Sequence, residues 1–262
     1  MTAEGRRPSL GGRFNRSHMS RLQSATLERL YRTAYGEDYP AEAQPNAFVS
    51  RTTLQRLVGA LHVGPGHTVV DLGCGHGDPG LWVAQQLGAH LIGIDLSAVG
   101  VASARDRAAA LGLGERARFQ EGDLTATGLP EASCDAAISL DVLVFVPDKA
   151  AAVREVARIL RPGGRFGFTT WEQSGYSAHL GAPQLADHRP LLAAAGFDME
   201  MYEEPPDWQR QQRPLLEGII GSEPALAEEM EAAVAAGFVA MAHGALADLP
   251  VRRYVCVVAR RQ

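Results

Sequence analysis

Val69-Val70-Asp71-Leu72-Gly73-Cys74-Gly75-His76-Gly77-Asp78-Pro79-Gly80 decides the fold. A short β-branched run ends in an acid, a glycine-dense turn follows, and a helix begins. Asp78 reads as its N-cap and Pro79 as its first helical residue. Glycines at this spacing let the backbone turn sharply and bring a ligand close to the main chain.

Two kinds of nucleotide compete for such a turn. Gly75-x-Gly77-x-x-Gly80 satisfies the dinucleotide pattern, and Asp95 follows at the spacing of a ribose-binding acid. The acid in front of the glycines opposes that reading. A pyrophosphate would meet the Asp71 carboxylate and be repelled, whereas a ligand with an ammonium group would be attracted. S-adenosylmethionine carries an ammonium and a sulfonium and has no phosphate.

The chain accordingly resembles the class I S-adenosylmethionine-dependent methyltransferases, whose first motif is an acid followed by Gly-x-Gly-x-Gly, here Asp71 to Gly77. It is similar to the small-molecule type of quinone biosynthesis. Further motifs follow in the family's order: His90 to Ser97, Arg118 to Leu124, Cys134 to Asp141, and Leu160 to Phe166. The resemblance implies a doubly wound, seven-stranded, mostly parallel α/β sheet with a helical lid. It implies that Asp71, Gly73, Gly75 and Gly77 form the turn around the cofactor, that Asp95 holds the ribose and that Leu96 also contacts the cofactor. Asp123 and Leu124 would meet the adenine, and Leu140 would sit beside the ligand. S-adenosylhomocysteine would be the product.

Strand and helix signals alternate along this stretch. Strands are expected near 68–71, 90–95, 116–121, 134–140 and 164–171, and helices near 79–88, 98–111 and 149–160. A helix over 187–195, a strand over 197–203, a mostly helical stretch over 206–247 and a final antiparallel strand over 252–259 complete the reading. Leu22, Leu27, Leu30 and Tyr31 mark an amphipathic helix ending near Gly36; Phe48, Leu54, Leu57, Val58 and Leu61 mark another. The expected organisation is a disordered tail (1–18), an N-terminal helical lid segment (19–60), the cofactor-binding core (61–203), a second helical lid and substrate segment (204–250) and the last core strand (251–262). The tail has no apolar face, so its removal is expected to be nearly silent.

Asp71, Asp95, Asp123 and Asp141 all fall at the carboxyl ends of strands, where open α/β sheets bind ligands. Asp141 is the candidate catalytic acid, placed to stabilise positive charge developing on an acceptor. Asp135, at the other end of its strand, reads as structural, as do Cys74 and His76 in the turn. In the quinone-type relatives histidines are common after the fourth strand, where one can deprotonate a hydroxyl. Here Val144 and Phe145 occupy those places, which favours an amine, an electron-rich carbon or an acidic phenol as acceptor. His179, His188 and His243 remain candidate bases. Tyr35, Tyr39, Phe48, Phe145, Trp171 and His179 are the candidate substrate contacts, by stacking or cation–π interaction.

A net charge of −5 gives no reason to expect nucleic acid or an anionic membrane as partner. Cys74, Cys134 and Cys256 are too few for a disulfide framework and point to a reducing, cytoplasmic setting. No Cys/His cluster has metal-ligand spacing, and no apolar run is long enough for a membrane helix. The expected partner is a small-molecule methyl acceptor of specialised metabolism, with the oligomeric state open, a homodimer included. A dinucleotide oxidoreductase, a noncatalytic binding protein and a fold recruited to cyclisation are the alternatives.

Overall fold

The computed structural model describes residues 11–12, 14–15, 24–44 and 47–262. Helix α1 (Ala25–Tyr35) starts at Ser24, whose hydroxyl accepts from the Leu27 amide, and ends at Gly36. Helix α2 (Arg51–Ala60) is capped in the same way by Ser50. Alternation then begins: β1 (Thr68–Leu72), α3 (Asp78–Leu87), β2 (His90–Asp95), α4 (Ala98–Ala110), β3 (Ala117–Glu121), β4 (Cys134–Leu140), α5 (Lys149–Ile159) and β5 (Leu160–Glu172). A hairpin of β6 (Gly175–Ser177) and β7 (Ala182–Gln184) follows, then α6 (Arg189–Ala194) and β8 (Phe197–Glu203). Helices α7 (Trp208–Gly221), α8 (Glu223–Glu229) and α9 (Ala232–Asp248) precede β9 (Arg253–Arg261).

The seven long strands form one sheet in the order β3-β2-β1-β4-β5-β9-β8. The first five run parallel, and β9 lies antiparallel to both its neighbours. This is the doubly wound, mostly parallel sheet expected. Side chains alternate across it as the pleat requires. Val70 on β1 and Val255 and Val257 on β9 share one face with Val153, Val156 and Ile159 of α5. Val69, Ile138 and Val258 point to the other face, against Leu54, Leu57 and Val58 of α2.

The second packing corrects the expected lid boundary. Helix α2 is core: Leu54, Leu57 and Leu61 are fully buried, and a Cβ on Gly167 of β5 would lie 3.0 Å from both Leu57 and Leu61. The lid proper is a separate cluster. Leu27, Tyr31, Tyr35 and Tyr39 meet Leu215, Leu216 and Ile219 of α7, the buried residues of α9, and Trp171 and Tyr254 from the sheet. A carboxylate fastens α1 to it: Glu229 accepts from Ser24 Oγ (2.5 Å), Thr26 N (3.1 Å) and Thr26 Oγ1 (2.8 Å).

Two further expectations change. Asp78 is not the N-cap of α3. Gly77 is, in the left-handed region at φ 84°, and Asp78 is the first helical residue, buried and ion-paired to Arg107. The 1–18 segment is not wholly a tail without packing. Gly11, Gly12, Phe14 and Asn15 are helical, and Asn15 Oδ1 accepts from Ser97 Oγ (2.7 Å) beside the end of β2. A Cβ on Gly11 would lie 2.9 Å from the Leu96 carbonyl oxygen; the rest of that segment lies outside the described residues.

Candidate active site

A cavity of about 780 Å³ opens at the carboxyl ends of β1, β2, β4 and β5, between the sheet and the lid. This volume lies in the upper range of small-molecule sites. Its sheet side is lined by Asp71, Gly73, Cys74, Gly75, His76, Asp95, Leu96, Leu124, Leu140 and Asp141. Its lid side is lined by Leu27, Tyr31, Tyr39, Phe48, Phe145, Trp171, Leu180, Leu216, Ile219 and the inner face of α9. Phe14 also lines it and meets Phe145 edge-on, with ring centroids 5.5 Å apart.

The glycine turn divides its labour. Gly73, at φ 81°, has no room for a side chain: a Cβ would lie 2.4 Å from Val142 Cγ2. Gly77 does not reach the cavity, contrary to expectation. A Cβ there would meet Ala104 at 2.9 Å and the Phe119 ring at 3.1 Å, so its role is to let the turn pack on α4 and β3. Gly80 allows the first turn of α3 to approach Asp71, since a Cβ would lie 2.5 Å from Asp71 Oδ2.

Asp71 is the electrostatic centre. It is buried, and its Oδ2 has no hydrogen-bond partner. Burial pushes its carboxyl up to about 7, with the nearby Asp95 charge adding to the rise and the Gly80 amide opposing it. Asp95 is held differently: Oδ2 accepts from Gly75 N and Oδ1 from Ser97 N, both at 2.8 Å. Burial raises its pKa, and those amides restrain the rise. Each oxygen keeps a lone pair for another donor.

Asp141 lines the cavity but is occupied. Oδ2 accepts from Phe48 N (2.6 Å) and Tyr254 OH (3.3 Å), and Oδ1 accepts from Thr169 Oγ1 (2.7 Å). Its backbone is left-handed, at φ 58°, which aspartate tolerates better than most residues. The carboxylate therefore ties Phe48 to β5 and β9 and stands as a held wall, where a free acid beside the acceptor was expected.

Asp123 is turned away. It is exposed and its Oδ1 accepts from Thr125 N and Oγ1, both at 2.7 Å, so only the neighbouring Leu124 reaches the cavity. Tyr35 is also absent from the lining. It is buried in the lid, stacked on Tyr31, and Tyr31 takes the place at the wall. Asp135 is structural, as expected: it accepts from Thr68 N (2.8 Å) and pairs with Arg161 (2.8 Å).

Only one of the three candidate basic histidines reaches the cavity. His188 is buried against Glu172 beside Tyr202, and His243 is not in the lining. His179, on the β6–β7 turn, is. The inner face of α9 lies in the expected lid and substrate segment, but its wall residues, including Val234, Phe238 and Met241, were not singled out. The signal was present, since Ala232 to Leu246 contains no aspartate, glutamate, lysine or arginine, and a helix apolar all round needs apolar surroundings on both sides. Among the described residues no group of three or more His, Cys, Asp or Glu could hold a metal, and no helix is long and apolar enough to cross a membrane.

The sheet order, the acid before the glycine turn and the acid after β2 are those of the class I S-adenosylmethionine-dependent methyltransferase fold. Comparison with known proteins agrees. Residues 69–164 match the model of the methyltransferase domain family. The chain is 35% identical over 126 residues to methyltransferase GfsG of Streptomyces halstedii, a match covering 48% of this chain and 45% of that protein. It is 36% identical over 110 residues to 27-O-demethylrifamycin SV methyltransferase of Amycolatopsis mediterranei (strain S699), covering 42% and 40%. The match thus spans less than half the length of either relative. Among solved structures, the [4+2]-cyclase SpnF superposes with a TM-score of 0.71 at 26% identity over 80% of each chain. The specific likeness to quinone methyltransferases is not what these matches carry.

Proposed function

We propose that the protein transfers a methyl group from S-adenosylmethionine to a bulky, apolar small molecule that carries no phosphate. One observation supports this above the rest. Asp71 lines the cavity with a buried carboxylate whose Oδ2 has no partner, and the cavity runs on into an apolar chamber. A buried, unpaired carboxylate is costly unless a cation completes it, and the methionine ammonium is such a cation. Asp95 would take the ribose hydroxyls with its spare lone pairs, and the Leu124 amide the adenine ring. Asp123 would have to leave Thr125 to help.

The acceptor class follows from the charges. The ionisable residues among the described lining are Glu28, Asp71, Asp78, Asp95 and Asp141, with Tyr31, Tyr39, Cys74, His76 and His179; neither lysine nor arginine is among them. Phosphate binding relies on arginine, lysine or helix N-termini, so a phosphorylated acceptor fits poorly. A neutral or cationic acceptor with apolar surface fits against Phe48, Trp171 and Phe238. The rifamycin-type relative, named for an O-demethylated substrate, is in keeping with a bulky acceptor.

The likeness to a cyclase favours a second reading, in which the same cavity holds the cofactor unconverted while a substrate rearranges above it. Calorimetric titration with S-adenosylhomocysteine, S-adenosylmethionine and NAD tests the shared premise. The proposal expects the first two to bind and NAD not to. Binding of NAD alone would restore the dinucleotide alternative. Consumption of S-adenosylmethionine in the presence of acceptor then separates transfer from cyclisation.

A further inference from the structure

The segment after β4 offers no base, since Val144 and Phe145 stand where one is common. The hairpin inserted after β5 offers one. We propose that His179 is the general base of the transfer and that the acceptor therefore presents a hydroxyl; this rests on the methyl-transfer reading above. His179 lines the cavity, as do Trp171 and Leu180. Its Nδ1 lies 3.1 Å from Ser177 Oγ and 3.8 Å from Asp248 Oδ2. Its Nε2 is buried and has no partner. A proton on Nδ1, facing Ser177 and Asp248, leaves the Nε2 lone pair unshared, and the role requires the ring, sealed at Nε2 in this structure, to turn that edge to the acceptor.

The ring is placed rather than incidental. Helix α9 passes so close that a Cβ on Gly244 would lie 2.5 Å from both His179 Cγ and Nδ1. Asp248, at the end of that helix, is steadied by Gln173 Nε2 at 3.1 Å. The hairpin is anchored from below: Lys149 Nζ donates to the Pro183 carbonyl (2.5 Å), and Gln184 Nε2 donates to the Val144 carbonyl (2.9 Å). The charged groups facing the imidazole are Asp248 and Arg252. Burial lowers its pKa; Asp248 opposes this and Arg252 adds to it. The neutral, accepting form therefore prevails at neutral pH.

In the step, the acceptor O–H proton passes to Nε2 while the oxygen lone pair forms the new O–CH3 bond. The S–CH3 bond breaks with its electron pair going to sulfur, which becomes a neutral thioether. The imidazolium then returns its proton to water. General-base assistance of this kind contributes ~10²–10⁴-fold.

The test uses the full chain with two small apolar phenols as probes, at pH 8. One is 2-naphthol, which needs deprotonation; the other is 4-nitrophenol, which arrives ionised. His179→Gln is expected to lower methyl ether formation from 2-naphthol by about 100-fold or more, to lower that from 4-nitrophenol by less than tenfold, and to leave S-adenosylhomocysteine affinity unchanged by calorimetry. Asp248→Asn provides a second, milder variant. By removing the group that raises the His179 pKa, it should move the His179 titration followed by NMR, and the acidic limb of the 2-naphthol rate, to lower pH together. Equal losses on both phenols, no loss on either, or no methyl ether from either phenol in a wild type that binds S-adenosylhomocysteine would each overturn the assignment. Failure of the wild type to bind S-adenosylhomocysteine would instead overturn the underlying methyl-transfer reading.

Discussion

Asp71 concentrates the chemistry of the site in one carboxylate. Its folded pKa of about 7 lies above an ordinary aspartate's ~3.9. The unliganded protein therefore binds this proton more tightly than the unfolded chain, and stability falls as pH rises through that window. An ammonium ligand needs the ionised form, so its affinity should rise over the same range. S-adenosylhomocysteine is expected to bind up to about tenfold more tightly per pH unit between pH 5.5 and 7, measured by calorimetry, with proton release visible as a buffer-dependent enthalpy. Asp71→Asn should abolish both the pH dependence and most of the affinity; a pH-independent wild type would contradict the role. For Asp141, three donors would lose their charged acceptor in Asp141→Asn. The expected result is a loss of ~1–3 kcal/mol in thermal or denaturant unfolding with cofactor affinity little changed. Residue type and position at strand ends made these acids readable in the sequence. What each side chain faces was not, because neighbours decide it: Thr125 captures Asp123, and Phe48, Thr169 and Tyr254 capture Asp141.

The elements separate what holds the sheet from what covers the site. Helices α1 and α2 carry the same amphipathic signal, yet α1 packs in the lid and α2 under the sheet. Periodicity reveals that a helix has a face to bury and is silent on its partner. Strands β1, β2, β4, β5 and β9 were legible because each holds a β-branched or apolar run, whereas β3, Ala117-Arg118-Phe119-Gln120-Glu121, was placed by the order of the motifs. The β6–β7 hairpin was not: two three-residue strands leave no period to read. The clasp of α1 onto Glu229 gives a prediction at this scale. Glu229→Ala strips the partner from Ser24 Oγ, Thr26 N and Thr26 Oγ1. Amide exchange in α1 should accelerate by the equivalent of ~1–3 kcal/mol while β1, β4 and β5 keep their protection. Unchanged protection of α1 would mean that apolar contacts alone hold the helix.

Across the whole molecule, sheet and lid meet around the cavity, and contributions to its wall come from both the N-terminal and the C-terminal segments. Phe14 lines it, and Asn15 bonds Ser97 beside Asp95. Deleting residues 1–18 should therefore weaken S-adenosylhomocysteine binding several-fold, contrary to the silence expected from that segment's composition. Wild-type affinity in the deletion would mean that these contacts do not bear on the ligand. Deleting residues 1–45 should also remove Leu27, Tyr31 and Tyr39 from the wall and leave a folded sheet with little turnover, as followed by circular dichroism and methyl-transfer assay. The central claim is that the glycine turn and its acids hold the methionine and ribose of S-adenosylmethionine, with the reacting methyl facing the apolar chamber. The most direct measurement is a crystal structure of the protein with S-adenosylhomocysteine. The ligand's amino group is expected within hydrogen-bond distance of the Asp71 carboxylate, its ribose hydroxyls on Asp95, and its sulfur turned toward Trp171 and Phe48. Adenine or ribose against Asp71, or the ligand seated in the chamber under α9, would contradict the account.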